Sequence, residues 1–111
     1  MSDECVFCRI VRGELASKVV HRSDGFLAIE DIAPKAPVHL LVIPERHVST
    51  FREVALFDPS QSKLMLEFVA EAARIAGLED YRVIVNVGRG GGQTVDHLHW
   101  HVLGGRTLPF A

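Results

Sequence analysis

The stretch His97-Leu98-His99-Trp100-His101-Val102 constrains this 111-residue chain more than any other. Strict alternation of imidazole and apolar side chain is the period-two pattern of a strand with one face in a core. At a rise of about 3.3–3.4 Å per residue, successive imidazoles stand roughly 7 Å apart on the other face. Packing makes no demand for such a face, because an imidazole is costly to bury without a partner. Three of the chain's 6 histidines nonetheless sit here. Two chemistries use such a cluster. Two neutral imidazoles on one face can chelate zinc. Alternatively, one unprotonated imidazole attacks a phosphoryl centre while a second neutralises its oxygen. Neighbouring imidazoles disfavour each other's protonation, which suits the nucleophile.

The length fits a single domain over residues 1–111, small enough that an oligomeric partner would help it bury surface. No apolar run approaches the ~20 residues of a membrane span. The Met1-Ser2-Asp3-Glu4 start has neither the basic nor the apolar region of a secretory signal, so a cytoplasmic location is expected. A net charge of −2 and scattered basic residues give no footprint for nucleic acid. Any bound phosphate must therefore be held by local donors.

Residues 5–12 read as a short helix ended near Gly13. Val19–His21 and Phe26–Asp31 read as a hairpin around Ser23-Asp24-Gly25. Pro34 and Pro37 force a loop, and His39–Ile43 is an apolar strand stopped by Pro44. A long helix is expected over 59–76. Asp58 is its N-cap, Pro59 its first residue and Gln61 the partner in a capping box. Its apolar positions are Leu64, Phe68, Ala72, Ile75 and Ala76, and Gly77 ends it. Tyr81–Val87 reads as a strand, 88–92 as a glycine-rich loop and roughly 97–103 as the histidine strand. The fold class is α+β: about five antiparallel strands in one sheet, one long helix and a short N-terminal helix.

Two further motifs carry chemistry. Gly88-Arg89-Gly90-Gly91-Gly92-Gln93-Thr94 can bring backbone N–H groups close to an anion. It is neither a Walker loop nor a dinucleotide fingerprint, since no Lys-Ser/Thr and no helix follow. Cys5 and Cys8, the only cysteines, are too close to staple a fold. They read as a thiol or metal motif, with His47 and His97 as candidate further ligands, or as buried core thiols.

These residues together resemble the histidine triad (HIT) superfamily of nucleotide hydrolases and transferases. His97–Val102 followed by Leu103 has its His-φ-His-φ-His-φ-φ pattern, φ being apolar. The likeness runs nearly end to end. Cys-Val-Phe-Cys-Arg-Ile at 5–10, Asp-Ile-Ala-Pro-Lys-Ala-Pro at 31–37 and His-Leu-Leu-Val-Ile-Pro at 39–44 are similar to the Hint-like branch. So are Val-Asn-Val-Gly at 85–88, Gly-Gly-Gln-Thr-Val at 91–95 and Leu-Gly-Gly-Arg at 103–106. Gln-Thr-Val also resembles the Fhit branch.

The resemblance implies a homodimer whose two sheets join into one, through the long helix and the strand of Tyr81–Val87. It implies that His99 is the nucleophile, forming a covalent nucleotidyl-imidazole on the way to a nucleoside monophosphate. Its other ring N–H would be pinned, as to a backbone carbonyl. His101 would contact the phosphate, with His97 as a supporting member and His39 as a fourth histidine. Asp31 would accept the ribose hydroxyls. Asn86, Gly92, Gln93 and Thr94 would lie around the phosphate and leaving group, with Thr94 where serine is commonest. Ile32, Phe7, Ile10 and Leu41 would wall a purine base. The implied substrate is a purine nucleoside 5′-phosphoramidate or mixed adenylate. The alternatives are a Fhit-like dinucleoside polyphosphate hydrolase and a nucleotide-binding interaction module. No cofactor is required by this scheme, but some members hold a zinc through positions matching Cys5, Cys8, His47 and His97.

Overall fold

A computed structural model describes residues 5–109, so the Met1–Glu4 start lies outside the described residues. Seven elements follow in order: α1 (Val6–Val11), β1 (Val19–Ser23), β2 (Phe26–Glu30), β3 (Val38–Pro44), α2 (Pro59–Ile75), β4 (Tyr81–Ile84) and β5 (Trp100–Gly104). Short 3-10 turns cover Phe51–Leu56 and Arg89–Gly91, neither of which the sequence pattern announced. The strands form one sheet in the order β1-β2-β3-β5-β4, antiparallel at every pairing. The expected α+β class and strand number therefore hold. Among the described residues no helix is long and apolar enough to cross a membrane.

Local chemistry sets the elements. Asp24 (φ 55°) and Gly25 (φ 87°) both take positive φ, the tight hairpin geometry that Asp-Gly favours. The α2 capping box forms as expected. Gln61 N–H donates to Asp58 Oδ1 (2.8 Å) and Asp58 N–H to Gln61 Oε1 (3.1 Å).

The core lies between α2 and one sheet face, where Met65, Phe68, Val69, Ala72 and Ala73 meet Leu40, Val42, Leu98, Trp100 and Val102. Leu64 and Ile75, expected on that inner face, are exposed instead. At about 100° per residue they fall roughly 90° to one side of the stripe centred on Met65, Val69, Ala72 and Ala76. Tyr81 and Val83 on the edge strand β4 are exposed too. Val83 stands opposite the core residue Val102, so it shares the α2 side of the sheet.

The second sheet face carries a smaller apolar cluster: Cys5, Phe7 and Cys8 of the α1 segment against Leu27, Ile29, Leu41 and Ile43. The candidate site lies on this face.

The histidine strand is shorter than its alternation predicts. β5 begins at Trp100, which pairs with Val42. Continued, the ladder would bring Leu98 opposite Pro44, which has no N–H to give. The Pro44 carbonyl instead accepts from His97 Nε2–H at 2.8 Å. His97–His99 therefore run as irregular backbone, anchored by Leu98 N–H to the Val48 carbonyl at 2.6 Å. Leu98, Trp100 and Val102 still enter the α2 core, so the alternation of faces survives the loss of the ladder. Likewise β4 stops at Ile84, three residues short of the expected Val87.

Candidate active site and metal centre

Strand register assembles the first group. Leu41 of β3 stands opposite His101 of β5, and His39 opposite Leu103, so His39 and His101 are diagonal neighbours on one face. Asp31 continues from β2, its N–H donating to the His39 carbonyl (2.9 Å).

The hydrogen bonds settle the tautomers. Lys35 N–H donates to His39 Nδ1 (3.1 Å), so the hydrogen of neutral His39 is on Nε2. That Nε2–H donates to His101 Nδ1 (2.9 Å), which leaves the His101 hydrogen on Nε2. Asn86 Nδ2 is placed 3.5 Å from that nitrogen; two donors cannot pair, so with this tautomer the amide must turn to present its oxygen there. Burial, then the nearby His99 and His39, lowers the His101 pKa to about 4. Burial also lowers that of His39, against the opposing pull of Asp31. Both rings are thus neutral near pH 7. His39 Nε2 also lies 3.4 Å from Asp31 Oδ2, a close approach of a neutral ring to a carboxylate in place of an ion pair.

His99 donates its Nδ1–H to the carbonyl of His97 at 2.7 Å. Its Nε2 keeps a lone pair. The ring faces His101 at 5.1 Å between centroids and meets the edge of Phe7, also at 5.1 Å. His99 and His101 open into a cavity of about 530 Å³. Phe7 and Ile10 of α1, Leu41, Val95 and Ile32 are part of its apolar wall, and Asp31, Thr94, Ser17 and Glu30 add polar groups. Ile32 is 100% exposed at the rim, an apolar side chain with nothing over it.

Gln93 does not reach this cavity. It is buried, its Oε1 accepts from Gly88 N–H (3.0 Å), and its Nε2 donates to the carbonyls of Ser49 (2.7 Å) and Val95 (2.9 Å). Its amide is spent on shaping the loop expected to hold phosphate. Gly92, at φ 94°, abuts the Asn86 side chain, where a Cβ would come within 3.7 Å of Asn86 Cγ. Arg89 ties the same loop by donating to the carbonyls of Gln93 and Thr94. The roles of Lys35, Pro44 and Arg89 escape sequence reasoning, because they act through main-chain groups or on them.

His97 departs from its two companions. Its ring is wholly buried and meets Phe7 edge-on at 5.8 Å between centroids. With Nε2–H given to Pro44, Nδ1 presents a lone pair to Cys5 Sγ (3.3 Å) and Cys8 Sγ (3.5 Å). His47 Nδ1 lies 3.1 Å from Cys8 Sγ. All four donor atoms fall within 4.8 Å of one another. A tetrahedral zinc with Zn–S near 2.3 Å and Zn–N near 2.0–2.1 Å has S···N edges of about 3.5 Å. The donor set and its spacing thus fit zinc. Without a cation, burial, with a hydrogen bond and charge from Cys5, pushes the Cys8 thiol up to about 11. Asp31, His39 and His101 also converge within 4.8 Å. There the hydrogen on His39 Nε2 occupies the direction a metal would need, so that group is wired for hydrogen bonding.

Fold and site together define a histidine-cluster protein with a cavity of about 530 Å³ at the cluster. The HIT domain model matches residues 12–108, and the chain belongs to the HIT family. It is 38% identical over 110 residues to the purine nucleoside phosphoramidase of Escherichia coli K12, covering 97% of this chain and 92% of that one. An uncharacterised HIT-like protein of Synechococcus elongatus is 43% identical over 109 residues, 97% of this chain and 96% of the relative. Among solved structures, a HIT family hydrolase of Legionella pneumophila superposes with a TM-score of 0.85 at 39% identity, covering 96% of this chain and 97% of that one. A histidine triad protein of Clostridium difficile gives 0.88 at 34% identity, covering 100% and 98%.

Proposed function

We propose that this protein is a purine nucleoside phosphoramidase working through a nucleotidyl-His99 intermediate. The observation that carries the reading is the 2.7 Å bond from His99 Nδ1–H to the His97 carbonyl. It aims an unprotonated Nε2 into a cavity that also holds His101 and Asp31.

In the first step His99 Nε2 attacks the α-phosphorus and the P–N bond breaks. His101 Nε2–H donates to a phosphoryl oxygen as charge builds there. The amine leaves poorly as an anion and must take up a proton as the bond breaks. His39 and His101 are neutral and His99 is the nucleophile, so that proton comes from solvent through the open cavity and is returned when water is split in the second step. The line Lys35, His39, His101 keeps the His101 N–H facing the phosphoryl oxygen. Water then displaces His99 and releases the nucleoside monophosphate, splitting one hard displacement into two. Asp31, with its Oδ1 accepting from Ala33 N–H (2.8 Å), is held ready for the ribose hydroxyls. A purine would cover Ile32 and the Phe7–Ile10 wall.

The Cys5, Cys8, His47 and His97 group would hold a zinc, with the thiols deprotonated on binding. The exposed flank of α2 and the unpaired edge of β4 would join a second copy, covering Leu64, Ile75, Tyr81 and Val83. A cytoplasmic setting accords with two free cysteines.

The test compares release of AMP from adenosine 5′-phosphoramidate and from a diadenosine polyphosphate. Faster phosphoramidate turnover, lost in His99→Asn with AMP binding retained, is expected. Faster cleavage of the dinucleotide would assign the Fhit-like activity instead. Turnover by His99→Asn would remove the nucleophile from the reading.

A further inference from the structure

We infer that His97 is a positioning residue that makes the orientation of His99 depend on whether the four-donor cluster is filled. The filling ligand is a borderline-soft divalent cation of the zinc kind, as two sulfurs and two imidazole nitrogens require. The inference rests on His99 being the nucleophile.

Two connections run from the cluster to the nucleophile. The first is His97 itself. Its ring belongs to the cluster, facing Cys5 at 3.3 Å and Cys8 at 3.5 Å, while its carbonyl holds His99 Nδ1–H at 2.7 Å. One residue thus has its side chain on the cation site and its main chain on the reacting imidazole. The neighbouring backbone is bound the same way: Leu98 N–H is held by Val48, the residue after His47. The second connection is Phe7. It sits between the two cysteines on α1, and its ring meets His97 at 5.8 Å and His99 at 5.1 Å. Both the hydrogen-bond acceptor and the apolar wall of His99 are therefore carried by segments that meet at the cluster.

Those segments are held by side-chain packing and single hydrogen bonds in place of a strand ladder. α1 has only six residues, too few to be stable as a helix alone, and its N-cap is Cys5 itself. Residues 97–99 lie outside the strand ladder. In the metal-free state S–H groups and imidazoles hold each other by weak hydrogen bonds. A bound cation would replace these with four bonds to one centre. The cluster can also exchange its ligand, since Cys5 and His47 line a cavity of about 420 Å³ shared with Ser49, Arg89 and Asp96.

Catalysis is sensitive to such a change, because a misplacement of about 1 Å in a reacting group costs on the order of 100-fold. Partners that orient a reacting or ligating group cost about 10–100-fold when lost. The ribose contact proposed at Asp31 follows β2 and is held by Ala33 N–H and beside His39, not by a residue of the cluster.

The experiment uses the full chain loaded with zinc, the same protein stripped by a chelator and reloaded, and the Cys5→Ser/Cys8→Ser double variant. Zinc content, kcat, AMP affinity and the 15N-resolved imidazole spectrum are measured at one temperature well below each melting point. Expected is one zinc per loaded chain and a fixed Nδ1–H tautomer of His99. Stripping should average that tautomer and lower kcat about 10-fold or more, with a smaller change in AMP affinity. Reloading should restore both. His47→Gln, altered only at the partly exposed edge of the cluster, provides a weakened site if the double variant does not fold. An unchanged His99 spectrum and kcat in stripped protein overturn the inference, as does a chain that takes up no zinc. So does zinc that raises only the melting temperature, leaving the folded stripped protein fully active. Loss of turnover in His99→Asn tests the nucleophile separately, so failure of the one assignment is distinguishable from failure of the other.

Discussion

Gln93 offers the sharpest separation between binding a phosphate and building the loop around it. Its amide makes three bonds, to Gly88, Ser49 and Val95, at 2.7–3.0 Å. At about 1 kcal/mol net for each, Gln93→Ala should cost roughly 3 kcal/mol. For a domain of this size that lowers the melting temperature by roughly 10 °C. Gln93→Glu is more telling. One carboxylate oxygen can still accept from Gly88, but the other faces two carbonyl oxygens where a donor stood. The acid must stay protonated to fit, so its pKa in the folded protein rises above the unfolded value of about 4.3. The unfolded chain then loses its proton first, and stability falls as pH climbs through that window. The deficit of Gln93→Glu should therefore be small near pH 4.5 and should grow toward pH 8. Urea unfolding of both proteins across that range measures it. A deficit under about 0.5 kcal/mol at every pH, with a large rise in KM, would refute the buried-clamp account and return Gln93 to the phosphate.

Other outcomes follow from the same geometry. Asp31→Asn should raise KM for ribonucleotides about 10–100-fold, the value of a charge-assisted bond, and narrow discrimination against the 2′-deoxy substrate. Comparing the two substrates in wild type and variant checks it; unchanged discrimination would sever Asp31 from the ribose. Burial holds the His101 pKa near 4, so the unfolded chain gains its proton first as pH falls from about 6.5. Its contribution to stability should be full above about 6.5 and be lost toward pH 4, seen as an excess acid loss over His101→Gln in urea titrations. Val83→Lys on the β4 edge should convert a dimer to a monomer in sedimentation, and a wild-type monomer would remove the pairing proposed for that edge.

Much of the fold was legible because its signals are local. The Asp58–Gln61 box and the Asp24-Gly25 turn form from nearest neighbours, the Val38–Pro44 strand announces itself by its apolar run, and each stands within a residue or two of expectation. The three histidines were equally legible as a face, but their division was not. His97 leaves its companions where Pro44, 53 residues away, has no N–H to extend the ladder to β5 and offers its carbonyl to the His97 ring. Gln93 is read as a phosphate contact when its motif is taken alone. Only the three-dimensional meeting of Ser49 with the 88–95 loop shows its amide already occupied. The tautomers of His39 and His101 rest on the Lys35 N–H, a main-chain donor that no side-chain pattern records. Leu64 and Ile75 were misplaced because a stripe counted every three or four residues drifts when its centre is set one residue off.

His99, held through Nδ1, is the residue proposed to carry the covalent intermediate. Rapid quenching of the protein with a purine nucleoside phosphoramidate, followed by mass mapping of the peptides, tests it most directly. A nucleotidyl group on His99 that forms and decays at rates compatible with turnover is expected. An adduct on His101 or His97, or full turnover with no adduct on any histidine, would contradict it.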